Sequence, residues 1–459
     1  MKFKTALLAF LAFMSAALWV PQAQAIPAFA RQVGMACSAC HQQHFPALNA
    51  FGRAFKEGGF TMIGSQEKIE SEGALSLPVV LNGALVGYMM NQKTNGSTVG
   101  DTSTTKSTND GVTQIPQQVS LFLAGRVGEH IGFESEINVT GSGPGTQNNL
   151  PGNTGLIRLK VPFVYNVGGV NAGIVPFSTG LGAADSFEVL NTGAVAVHAF
   201  NQTGVSGATT GGMQVISAQQ YIGTATPASG FALIASNDQF FANVAKWGAS
   251  QGAGNYGSPT SNYVRAAWTT GVIPGFDSAI GVQFWRGNSV YDAGGDPTVI
   301  PGQGAYDTNA TAIDAQMLGD VGGLPLTLVA SYATAPASGQ WGGANGNGNL
   351  FNQGNGNETI KSFNVGAELG VIPNKATLQL GLRRASSGNF VPGTSSGNAS
   401  DNAVMIGATY ALALNVRLEL TFVKASGDMY NGAPTSMNDP NSNAVYGDRM
   451  TTLDLAFGF

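Results

Sequence analysis

From Leu75 to the end of the chain, apolar and polar residues alternate with a period of two, in stretches of about ten residues each. Val119–Leu123, Phe133–Val139, Ser278–Phe284 and Val416–Phe422 show the pattern most plainly. In the last of these, Arg417, Glu419 and Thr421 share one face, while Val416, Leu418, Leu420 and Phe422 share the other. Such strands can set one face against hydrocarbon and the other against a wet lumen. The connections alternate in length. Short turns fall near 128–129, 166–169, 237–238, 273–275, 321–323, 372–374 and 412–414, and several carry Pro or Gly. Long Gly/Asn/Ser-rich loops fall near 91–116, 141–154, 248–259, 288–307, 335–357, 387–400 and 427–447. Tight turns at one end and long loops at the other are the habit of transmembrane antiparallel β-barrels. Strands counted with this parity number 16, if 179–228 is one long connection between the fifth and sixth. That connection is long enough to fold into the pore as a constriction. Were it to contain two more strands, the count would be 18.

Before residue 73 the period changes. Leu48, Phe51 and Phe55 recur at helical spacing. Pro46 stands where a helix could begin, and Gly58-Gly59 stands where it would stop,. Residues 26–72 therefore read as a small α-helical domain, and 73–459 as the barrel. Residues 1–25 read as a signal peptide: Lys2 and Lys4 form a basic start, Ala6 to Val20 an apolar run, and Ala23-Gln24-Ala25 a cleavage site,. The run is too short for a membrane anchor. The chain ends in Leu453-Asp454-Leu455-Ala456-Phe457-Gly458-Phe459, an alternating strand with a terminal aromatic like the assembly signal of bacterial outer-membrane barrels.

Composition supports this division. Charged residues make up 10% of the chain, well under the share of about 25% in a soluble domain, and Gly numbers 64,. The formal charge of −5 argues against a nucleic-acid partner, which would call for a basic footprint,.

Only two cysteines occur, and both lie in Cys37-Ser38-Ala39-Cys40-His41. This is the C-x-x-C-H spacing of c-type haem attachment. Two intervening residues put both sulfurs on one side of a tight turn, with the imidazole next to them. Cys37 and Cys40 would form the thioethers and His41 the axial bond to the haem iron. A thioredoxin-like dithiol would need a βαβ setting, which is missing here. One covalent haem would also supply the core that so short a domain lacks, packed by Phe45, Phe51, Phe55 and Phe60. For the second axial position the chain offers Met62, Met35, His44 or an open site. Met62 is favoured because it follows the flexible Gly58-Gly59 and can reach around the porphyrin edge, whereas His44 lies only three residues past His41. Met ligation would raise the reduction potential. His130 and His198 read as ordinary polar positions. The loop carboxylates Asp101, Asp110, Asp292, Asp296, Asp307, Asp401, Asp428 and Asp439 form no recognisable metal site. Neither a phosphate-binding loop in a strand–helix setting nor a Ser/His/Asp set is present.

The segments Ala28–Gln32, Gly34–His41, His44–Arg53, Phe55-Lys56 and Gly59-Phe60 closely resemble the N-terminus of the fused monohaem cytochrome–porins, outer-membrane proteins best known from iron-oxidising bacteria. The resemblance is specific over about residues 28–62 and architectural beyond them. It implies an iron(II)-oxidising electron-transfer oxidoreductase of the bacterial outer membrane, with extracellular Fe(II) as donor, a periplasmic cytochrome or copper protein as acceptor, and lipid around the barrel. The cytochrome domain would plug the lumen. Two other functions fit the same parts: a conduit with a different donor or an outward direction, and a solute porin gated by its haem domain.

Overall fold

The computed structural model describes residues 28–44, 47–64, 80–94, 112–139, 155–192, 217–249, 259–271, 273–290, 305–337, 348–352, 358–386, 399–428 and 449–458. The leader, Phe45, Pro46, His198, Phe459 and the loop carboxylates Asp101, Asp110, Asp292, Asp296 and Asp439 lie outside the described residues.

Among the described residues, sixteen strands form one closed antiparallel sheet. They begin with β1 (Val80–Thr94), β2 (Val112–Arg126), β3 (Gly132–Asn138), β4 (Gly155–Lys160, resumed as Phe163–Val167), β5 (Val170–Thr179), β6 (Ala228–Ser236), β7 (Phe240–Gly248) and β8 (Ser261–Thr270). They continue with β9 (Phe276–Arg286), β10 (Ala310–Val321), β11 (Leu324–Ala335), β12 (Ile360–Ile372), β13 (Ala376–Ser386), β14 (Ser400–Ala413), β15 (Val416–Ser426) and β16 (Arg449–Gly458). Each pairs with its neighbours in sequence, and β16 returns to β1, from Val86 opposite Gly458 to Thr94 opposite Met450. Sixteen is thus the count, and the eighteen-strand alternative fails. The described parts of the connection between β5 and β6 are a 3-10 turn (Ala183–Ser186) and one helical turn, not strands. The break in β4 falls at Val161-Pro162. Pro162 has no N–H for the ladder, but its carbonyl accepts from Gly132 N at 3.0 Å, and Val164 N donates to His130 O at 2.8 Å, so the chain steps sideways and stays paired,. One feature escaped the alternation: Asn288–Val290 and Ala305–Asp307 pair as a small ribbon outside the barrel sheet.

Alternation sorts the side chains as expected. On β8, Tyr263, Arg265 and Ala267 are buried inward, while Val264 and Trp268 are exposed on the outside. Leu81, Phe231, Ile280, Leu380, Ile406 and Leu420 add to the apolar exterior. A closed sheet with this exterior satisfies its backbone in lipid without an edge. The even strand number and the turn asymmetry complete the outer-membrane pattern. The chain is a bacterial outer-membrane β-barrel.

The N-terminal segment lies within the barrel as three short helices: α1 (Ala28–Val33), α2 (Cys37–Cys40) and α3 (Ala50–Glu57). Its wall partners all stand near the short-turn ends of their strands. Arg31 Nη1 donates to Gly83 O at 2.5 Å, Arg126 Nη1 donates to Thr61 O at 2.9 Å, and Arg53 pairs with Asp277. Gly132 of the wall meets the plug so closely that a Cβ there would lie 1.9 Å from Gly59 O. The segment therefore plugs the short-turn mouth.

The β5–β6 connection folds inward, as the constriction reading anticipated. Asp185 is held by Lys160 Nζ at 2.7 Å and Thr179 Oγ1 at 2.8 Å. Burial alone would raise the Asp185 carboxyl, but Lys160 and Arg158 hold it below its ordinary value. Glu188 accepts from Arg265 Nε at 3.0 Å, and Arg265 also grips Asp314 at 2.6 and 2.9 Å. α4 (Ala218–Tyr221) ties back to the wall through Tyr221 Oη, which donates to Asp401 at 2.9 Å. Asn191 reaches the plug itself, accepting from Leu48 N at 2.7 Å and donating to Leu48 O at 3.0 Å. The inward strand positions carry many buried polar side chains, as the alternation anticipated, among them Asn243, Gln283, Asp314 and Glu368. One buried apolar cluster runs from Val33, Phe55 and Phe60 of the plug through Phe187 and Leu190 of the inner loop to Trp247, Trp285 and Phe351.

Candidate haem-attachment site

α2 is a single turn closed by His41 N donating to Cys37 O at 2.9 Å. It brings Cys37, Cys40 and His41 together as the spacing requires. Asn49 fixes the turn against α3. Its Nδ2 donates to Ala39 O at 3.0 Å, and its Oδ1 accepts from Gly52 N at 3.0 Å as the N-cap of the helix,. This cap starts the helix at Ala50, later than the expected start at Pro46, and leaves Leu48 in a β-bridge with His41. The helix stops at Gly58, and Gly59 takes a φ of 69°, as the Gly-Gly pair implied,. Gly52 lies flush on the motif: a Cβ there would sit 2.1 Å from Cys40 O.

Phe55 and Phe60 are buried as expected, and they pack among themselves and Phe29. The Phe60 ring also lies 6.1 Å from Phe187 of the inner loop. Lys56 Nζ sits over the same Phe187 ring at 5.7 Å, and burial first, then Lys160, lowers its pKa to about 8.

The donor set fits a c-type haem. Neither cysteine is in a disulfide. A redox dithiol needs a depressed attacking thiol, yet burial pushes both thiols up, and the proximity of Cys37 adds to the rise at Cys40. His41 Nδ1 lies 3.3 Å from Ala47 O. In the tautomer that donates there, Nε2 carries the lone pair that would bind iron. Cys37, Cys40 and His41 would thus hold the group.

The other axial candidates separate. His44 is used by the barrel: Arg417 Nη1 donates to its Nδ1 at 2.7 Å, and its Nε2 donates to Glu368 Oε1 at 2.5 Å. With both ring nitrogens engaged across β12 and β15, His44 is a bolt between plug and wall. Met35 and Met62 are exposed on the plug, 43% and 45% respectively. The Met62 carbonyl accepts from Gln32 Nε2 at 2.7 Å, which fixes its backbone beside α1.

No family model and no curated protein matches the chain. Among solved structures it is similar to OmpF of Salmonella typhi in complex with daunomycin, at 13% identity over 83% of this chain and 97% of that one, with a TM-score of 0.47. OmpT of Vibrio cholerae matches at 9% identity over 86% and 100%, TM-score 0.44. The outer membrane channel DcaP of Acinetobacter baumannii matches at 12% identity over 85% and 99%, TM-score 0.44. The barrel assignment rests on the strand pairing itself.

Sequence reading missed the wall residues that touch the motif. Cys37 Sγ lies 3.6 Å from Oδ1 of Asn415, in the turn between β14 and β15. The available signal was scarcity: in a chain with 10% charged residues, each charge on an inward strand position needs a partner, and Arg417 and Glu368 find theirs in the plug.

Proposed function

We propose that this barrel is an outer-membrane cytochrome that takes electrons from extracellular Fe(II) and passes them through one haem to a periplasmic carrier. The observation that carries the reading is the seating of a C-x-x-C-H turn inside the short-turn mouth of a membrane barrel, with Cys37 against Asn415. When bound, the haem supplies a one-electron redox centre. The chain supplies the rest. Cys37 and Cys40 would tether the group, His41 would ligate through Nε2, and Met62 is the proposed second ligand. The barrel wall holds the centre in its short-turn mouth, and the inner loop packs against the plug. Ferric product is insoluble near neutral pH, so keeping the oxidation outside the cell protects the interior. The N-terminal resemblance to the cytochrome–porins adds iron as the donor.

The test is stopped-flow mixing of oxidised purified protein with Fe(II). The reduced α-band should grow as Fe(II) is consumed. If dithionite reduces the haem and Fe(II) does not, the proposal fails. A solute porin is the less favoured reading, because the plug and the inner loop both occupy the lumen.

A further inference from the structure

We infer that the haem pocket is completed by the barrel wall, with Asn415 and Arg417 as haem-contact residues. The inference rests on the haem reading above. Two contacts bracket the attachment motif. On one side Cys37 Sγ lies 3.6 Å from Asn415 Oδ1. On the other, His44, three residues past His41, receives Arg417 Nη1 at 2.7 Å. The two wall residues are neighbours, at the turn before β15 and at its start, and Asn415 O accepts from Gly458 N at 2.9 Å, which locks the turn onto the last strand. A porphyrin joined to Cys37 must therefore emerge against this stretch of wall.

The second observation concerns the other end of the same amide. Asn415 Nδ2 is buried without a hydrogen-bond partner. A buried amide donor left unsatisfied is unfavourable, so its presence points to an acceptor that arrives with the group. A c-type haem brings two carboxylates and a polarisable thioether edge. Arg417 contributes charge. Its guanidinium is fixed between His44 and Glu419, whose Oε2 lies 3.4 Å from Nη2. A cation held this close to the motif would favour the reduced haem, which carries one positive charge fewer. Removing it leaves Glu419 and Glu368 facing the pocket and favours the oxidised form.

The test is a spectroelectrochemical titration of the full-length haem-loaded protein in detergent, poised with chemical mediators. Its readout is the midpoint potential, which does not depend on whether Fe(II) is the donor. Arg417→Gln should lower the midpoint, and Arg417→Lys, which keeps the charge, should restore most of it. Asn415→Leu should also shift it. Arg286→Gln, an exposed cation at the far end of β9, should leave it in place. Limited proteolysis of the plug in each variant separates an altered haem from an unseated one. Wild-type midpoints in Arg417→Gln and Asn415→Leu with the plug seated would overturn the inference. So would a wild-type protein that binds no haem, which would also overturn the functional proposal; failure of Fe(II) to reduce a normal haem would overturn that proposal alone.

Discussion

At the scale of single residues, the motif and its surroundings obey different rules. Cys37, Cys40 and His41 lie on one helical turn, so their spacing alone groups them as candidates. Replacing either cysteine with Ala should abolish two-point covalent attachment, read as haem lost to acid–acetone extraction or as an altered pyridine haemochrome spectrum. Glu57 makes a pH prediction. Burial pushes its carboxyl up to about 7, Arg53 opposes the rise, and Asp238 in the β6–β7 turn adds to it. A raised folded-state value means that the seated plug holds a proton that the unseated one releases. Plug stability should therefore fall as pH rises from the ordinary carboxylate range to about 7 and level off above it. Glu57→Gln should flatten that slope, measured as protease resistance of the plug against pH. The partners of the motif were not legible. Asn415 is 378 residues from Cys37, and no local pattern links them. His44 could be weighed as a ligand from sequence; only the folded wall shows both its nitrogens occupied.

At the scale of elements, strand periodicity was highly legible because a membrane enforces it: every outward position meets lipid and every backbone group must pair. The helix start was less so. Local propensity allowed Pro46, but the Asn49 cap decided for Ala50. The close seat of α3 yields a mutation. Gly52→Val would drive side-chain atoms into Cys40 O, which is backbone and cannot rotate away. It should cost about 1–3 kcal/mol and lower the yield of haem-loaded protein. The inner loop was visible in the sequence as an overlong connection, but its anchors were not, since Arg265, Glu188 and Asp314 come from three separate segments. Arg265→Met would leave two buried carboxylates without their cation, a change that typically costs about 3–5 kcal/mol. The loop should loosen, seen as higher single-channel conductance and new protease cuts between β5 and β6.

For the whole molecule, the plug and the constricting connection were expected, but not the apolar packing of Trp247, Trp285, Phe187 and Phe351 between them. Inward aromatic positions alternate with outward ones just as polar positions do, so periodicity alone could not tell a pore from a packed column. Intact protein in planar bilayers should conduct far less than an open barrel of the same strand number. Gly132→Val, which sets a side chain against Gly59 O, should unseat the plug and raise that conductance without removing the barrel.

The seam between plug and wall also carries a consequence for biogenesis. Gly83, Arg126, Asp277, Glu368 and Arg417 grip the plug from five strands spread along the chain, the last of them next to the final one. The plug thus has its full set of wall partners only once β15 is in place. A barrel closed without it would lack the partners of Asp277, Glu368 and Arg417.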